Sequence, residues 1–169
     1  ELYTGGFYSP QGARMDAETL TIFRAEVNAQ LRQLETVFDR IEQRAAATSE
    51  TEVESLAYQL HNLYCTFEDL FELVAERFEN HLEHNAKYHT ALLQRMAMPI
   101  EGVRPALLEE NTLRLLDNLR GFRHVFRHAY SYTLDKRKVE LVLEDTRSLR
   151  HVYRDQIASF LNTLDAGAE

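Results

Sequence analysis

Arg120, Arg123, His124, Arg127 and His128 crowd one stretch of this chain, Leu119–Tyr132, which reads LRGFRHVFRHAYSY and holds no carboxylate. Guanidinium groups are permanent cations that match phosphate oxygens, and imidazoles gain and lose protons near neutral pH. These two residue types, packed this closely, point to an anionic ligand. At about 100° per residue, Arg120, His124, Arg127 and His128 fall along one side of a helix. Arg123 and Tyr130, seven apart, stand one above the other, with Arg127 between them. Leu115, Leu119, Phe122, Phe126 and Ala129 take another side and are expected to face a core. The basic and histidine side is then not needed for packing within one subunit. Arg123 and His128 point about 140° apart around the axis, so one helix does not easily aim both at one small group. Two such helices related by a two-fold axis can. Gly121 costs about 1 kcal/mol relative to Ala inside a helix, and it permits close helix approach or a slight kink.

The charge pattern outlines the same stretch. The chain carries a net charge of −8, yet seven basic residues between Arg114 and Lys138 stand against Asp117 and Asp135. That is a local +5, with −13 elsewhere. An acidic body argues against nonspecific coating of nucleic acid, and one basic strip suits a localised anion. The plainer account is a solvated helix face, where such strips are common.

Other candidates are weaker. His81, His84 and His89 lie in HLEHNAKYH, and a His pair three apart can share a helix face and hold a metal. No Glu-x-x-His occurs in the chain, so the carboxylate-bridged dimetal bundle signature is missing. No metal site is expected. Glu68, Asp69 and Glu72 interrupt an apolar helix. Glu68 is a candidate buried acid, although a solvent face is the preferred reading. Cys65 is the one cysteine, which excludes a disulfide framework.

These residues need a scaffold, and the chain supplies a helical one. Its 169 residues suit one domain with a filled core, and an apolar share of 44% with 27% charged residues is that of a soluble globular protein. No run approaches a membrane span and no secretory signal is visible, so a cytoplasmic protein is expected. Glu1–Arg14, with three of the six glycines and no period, is expected to be a flexible arm or a non-native leader, with Met15 as a natural start. Residues 15–165 then form a single helical domain.

From Asp16 to about Ala46, Leu20, Phe23, Val27, Leu31, Leu34, Phe38 and Ile41 recur at three and four, the stripe of an amphipathic helix. Ser49 and Glu52 have the spacing of a capping box. The second helix, about Glu50 to Leu82, is apolar on more than one side, as a central helix should be. A short helix is expected over His89–Met98, followed by a Pro- and Gly-containing loop. A fourth helix runs from about Leu107 or Glu109 to Ser131, and a fifth from about Asp135 to Leu164. No strand-like alternation survives. The expected fold is all-α, an antiparallel bundle of four long helices plus a short fifth.

On these residues the chain resembles a known family. Arg123-His124-Val125-Phe126-Arg127-His128-Ala129-Tyr130 matches the Arg-x4-6-His signature of HEPN domains, in the longer form Arg-x4-His-x-Tyr. That form is typical of HepT-like toxins of prokaryotic toxin–antitoxin pairs. His124 also fits the family's preference for a polar residue after the arginine. The wider strings LRGFRHVFRHAYSYTLD and NLYCTFEDLFELVAERF look like the same group, so the resemblance covers roughly Asp16 to Leu164.

The resemblance implies a metal-independent endoribonuclease without a cofactor, active as a homodimer with its cleft at the interface. Such cleavage needs a base for the ribose 2′-hydroxyl proton and an acid for the leaving oxygen, and histidine serves as either. A permanent cation stabilises the pentavalent phosphate. His128 is accordingly expected to transfer protons and Arg123 to stabilise the phosphate. Arg120, His124 and Arg127 are expected to hold RNA phosphates. A required 2′-hydroxyl makes RNA the substrate. The family also implies a minimal nucleotidyltransferase antitoxin, which transfers adenylate onto the motif tyrosine, here Tyr130. The alternative is a catalytically silent HEPN module that partners a nucleotidyltransferase. More distant is an unrelated helical adaptor that docks an acidic protein through its arginines.

Overall fold

The periodic stripes do form helices. The computed structural model describes residues 15–79, 85 and 87–166. Residues 1–14 and the candidates His81 and His84 lie outside the described residues. Four long helices, α1 (Ala17–Glu42), α2 (Glu50–Phe78), α4 (Glu110–Arg127) and α5 (Lys136–Ala166), pack with the short α3 (Tyr88–Met96). Among the described residues there is no strand, only an isolated bridge between Ile100 and Arg104. The all-α bundle read from the sequence is the observed architecture.

Local chemistry starts the first two helices. The Asp16 carboxylate accepts the Thr19 backbone N–H at 2.7 Å and satisfies a donor that the first turn leaves open. Ser49 and Glu52 form the expected capping box: the Ser49 hydroxyl accepts Glu52 N–H at 3.3 Å, and Glu52 accepts Ser49 N–H at 3.0 Å.

α2 is central, in contact with all four other helices. Its fully buried residues include Leu60, Leu63, Tyr64, Phe67, Leu70 and Phe71. Phe67 anchors the core: its ring lies 6.3 Å from Phe38 on α1, 5.9 Å from Phe71 and 5.5 Å, edge-on, from Tyr153 on α5. Buried side chains of that size contribute a large share of a domain's stability. α5 is tied to α1 by charge as well, through Arg150 to Glu35 at 2.9 Å and to Asp39 at 2.7 Å.

A buried arginine pins the α3–α4 connection. Arg104 pairs with Glu79 and donates to the carbonyls of Arg95, Met98 and Pro105, each at 3.0 Å. Gly102, at φ 74°, makes the tight turn that carries Arg104 back to Ile100. No described helix is long and apolar enough to cross a membrane.

The helix ends differ from expectation. α3 begins one residue earlier than expected and ends at Met96 rather than Met98. More consequential is α4, which ends at Arg127 and not at Ser131. His128 caps it, and Ala129–Ser131 form a separate 3-10 turn. After Phe126 the stripe offers no further large apolar residue, so core packing gives no reason to continue the helix. Asp135 then accepts Arg137 N–H at 2.9 Å and starts α5.

Candidate functional site

α4 packs on α2, α3 and α5, burying Leu115, Leu116, Leu119 and Phe122. Phe126 and Ala129, expected in the core, are only half-buried. This packing divides the candidate site residues into two groups. His124, Arg127, His128 and Tyr130 are exposed, whereas Arg120 and Arg123 are half-buried.

Arg123 turns inward. Its side chain is 15% exposed, and its Nε lies 3.6 Å from Oε2 of Glu68 on α2. That Nε is buried without a hydrogen-bond partner, so the pair is held by charge and one donor remains unused. Packing within one subunit therefore does engage the basic side of α4, contrary to the sequence reading. Glu68 is corrected with it: the carboxylate is buried, not on a solvent face. Its other oxygen, Oε1, meets Nδ1 of His89 on α3. Burial pushes the Glu68 carboxyl up, against the downward pull of Arg123 and His89.

The exposed group is arranged around His128. Its Nδ1 lies 2.8 Å from the His124 carbonyl oxygen. A carbonyl only accepts, so Nδ1 carries the proton and Nε2 is the basic nitrogen of the neutral ring. The His124 ring stands 4.5 Å from the His128 ring. Arg120 bonds to Asp117 through Nε at 2.8 Å. Arg127 is exposed, on the side of α4 near His61 of α2.

Tyr130 departs from the expected register. The helix that was to stack it over Arg123 stops at Arg127, and Tyr130 stands on the 3-10 turn, 88% exposed. Tyr132 folds back instead, its hydroxyl donating to the Val125 carbonyl at 3.2 Å.

Sequence reasoning gave His61 and His89 no part in the site and placed Glu68 wrongly. His61 stacks on Phe126 at 5.1 Å, with Nε2 3.8 Å from the Cys65 sulfur. Burial first, then Arg123 and Arg127, holds the His61 ring below its usual value. A signal was available: His61, Cys65, Glu68 and Glu72 recur at four, three and four along α2. That is a polar stripe on an apolar helix, and it faces α3 and α4.

A groove of about 780 Å³ runs between α3 and α4, lined by Thr90, Gln94, Asn111, Arg114, Asp117 and Arg120 among others. Three cations, Lys136, Arg137 and Lys138, form the exposed first turn of α5. A helix N-terminus disfavours positive charge, so helix stability does not account for them.

The model of a family described as HepT-like protein matches residues 55–164. No curated protein and no solved structure matches the chain. The matched span runs from α2 to the end of α5, includes Glu68, His89 and the whole Arg123–Tyr130 signature, and covers more than half of the sequence: the chain belongs to the family of HepT-like proteins.

Proposed function

We propose that the protein is a metal-independent endoribonuclease toxin, active as a homodimer. The observation that carries the reading is His128. Its Nδ1 proton is committed to the His124 carbonyl, and Nε2 is left on an exposed ring five residues after Arg123. In the reaction the 2′-hydroxyl loses its proton to a base, and O2′ bonds to phosphorus as the P–O5′ bond breaks. An acid protonates O5′. The products are a 2′,3′-cyclic phosphate and a 5′-hydroxyl. Nε2 of His128 transfers a proton, and Arg123 balances charge on the phosphate. Arg120, His124 and Arg127, with the first turn of α5, hold the flanking phosphates.

Arg123 and His128 diverge within one subunit, which supports a site shared between two copies. Tyr58 and Tyr132, each 52% exposed, and Tyr130 lie around the C-terminal end of α4, where Tyr58 is 6.5 Å from Phe126. Exposed aromatic groups of this kind suit an interface. A minimal nucleotidyltransferase antitoxin would neutralise the toxin by transferring adenylate to Tyr130, adding an anion that competes with substrate phosphate.

The test is incubation of wild type, Arg123→Ala and His128→Ala with RNA in EDTA. Wild type should cut, and both variants should lose at least about 100-fold. Intact RNA with wild type, or equal cutting by the variants, defeats the reading. Mass spectrometry after co-expression with the antitoxin and ATP should find adenylate on Tyr130 and none in Tyr130→Phe.

One observation favours a catalytically silent module that partners a nucleotidyltransferase. Arg123 is already neutralised by Glu68 inside the subunit. On that reading wild type binds the partner and leaves RNA intact.

A further inference from the structure

Glu68 holds two side chains that the signature does not join. Arg123 approaches Oε2 from α4 at 3.6 Å, and His89 reaches Oε1 from α3. The imidazole and the guanidinium therefore flank one carboxylate from its two sides. The burial is uneven: the Glu68 side chain is 8% exposed and the His89 side chain 42%. A buried carboxylate behind an imidazole orients the ring and fixes its tautomer. With Nδ1–H donated to Glu68, the nitrogen left to act is Nε2, on a half-exposed ring. A histidine serving packing alone needs neither that exposure nor a charged partner.

We propose that His89 is the general base of the ribonuclease site, with Glu68 as its positioning residue, in the same subunit as Arg123. The proposal rests on the ribonuclease reading above. Nε2 of His89 takes the 2′-hydroxyl proton as O2′ bonds to phosphorus and the P–O5′ bond breaks. The proton required by the leaving O5′ comes from Nε2 of a protonated His128 contributed by the second copy. Arg123, beside the same carboxylate, offers the charge of its guanidinium to the phosphate while its Nε stays buried against Glu68. The two histidines then divide the acid and base work that one signature histidine cannot do alone. Charged and polar groups beside His89 are Glu68, which it meets, Arg123 across that carboxylate, and Tyr88, whose hydroxyl donates to Glu72 at 2.8 Å.

The test uses full-length protein and two oligoribonucleotides. One is an ordinary substrate. In the other a bridging sulfur replaces O5′ at the cut, and a thiolate leaves without needing an acid. His89→Gln retains an amide to meet Glu68 and should cut the ordinary substrate about 100-fold slower or worse. It should stay equally slow on the sulfur substrate, whereas His128→Ala should regain most of its loss there. Glu68→Gln should shift the acidic limb of the pH–rate profile, and His89→Gln should remove it. Binding of a 2′-O-methyl oligonucleotide by His89→Gln should stay near wild type. If wild type leaves RNA intact, the ribonuclease reading fails and this assignment falls with it. If wild type cuts and His89→Gln cuts equally fast, or is rescued by sulfur, or loses binding and rate together, the His89 assignment alone is overturned.

Discussion

Arg123 of α4 and Glu68 of α2 meet at 3.6 Å with the arginine Nε buried and unbonded. The signature arginine is thus held inside its own subunit, in a side-chain cluster drawn from three helices and not from one helical face. Removing the carboxylate leaves a largely buried cation uncompensated. Glu68→Ala should lower unfolding stability by about 1–3 kcal/mol, read as a shifted midpoint in urea. A double-mutant cycle with Arg123→Gln should show that the two losses are not additive.

Phe67 is fully buried among Phe38, Phe71 and Tyr153. Phe67→Ala should cost about 3–5 kcal/mol. Ile22→Ala, at a side chain 50% exposed on α1, should change stability by less than about 0.5 kcal/mol. Denaturant melts of the pair check the placement of the core.

Arg104, with no exposed side-chain surface, bonds Glu79 and three backbone carbonyls. Arg104→Ala should destabilise by about 3–5 kcal/mol. It should also speed amide hydrogen exchange across the α3–α4 connection. Unchanged exchange there would contradict a pinning role.

Glu52 accepts backbone hydrogen bonds from Thr48 and Ser49, which hold its carboxyl down to about 2. A carboxyl depressed on folding contributes stability above its ordinary value of 4.5, and that contribution is lost as pH falls toward 2. Wild type should therefore lose stability over this window more steeply than Glu52→Gln. Parallel slopes in melts between pH 5 and pH 2 would contradict the capping box.

Lys136, Arg137 and Lys138 oppose the dipole of α5. Replacing all three with Ala should keep or raise the melting temperature while weakening RNA binding. If they clamp phosphates, the dependence of binding on salt should flatten by about 0.7 per lost contact. An unchanged salt slope would remove them from the interface.

Much of the scaffold was legible because each long helix repeats its apolar residues at three and four, and Asp16 and Ser49 stand where caps belong. The end of α4 was not. No glycine or proline marks Arg127, and Phe126 is the last residue of α4 that packs against the core. Glu68 was misread for a related reason. A carboxylate on an apolar helix looks like a break toward solvent until Arg123 and His89 arrive from two other helices. His89 looked like one of several scattered histidines, because nothing local ties it to a residue 34 positions along the chain.

The 3-10 turn after α4 has a consequence for any enzyme that acts on Tyr130. A tyrosine in mid-helix has its backbone tied into the i to i−4 hydrogen bonds of the helix. Tyr130 stands on a three-residue turn whose hydrogen bond from Tyr132 N–H to the Ala129 carbonyl spans 3.5 Å. The early stop of α4 leaves this phenol exposed on a turn, reachable with the bundle behind it still folded.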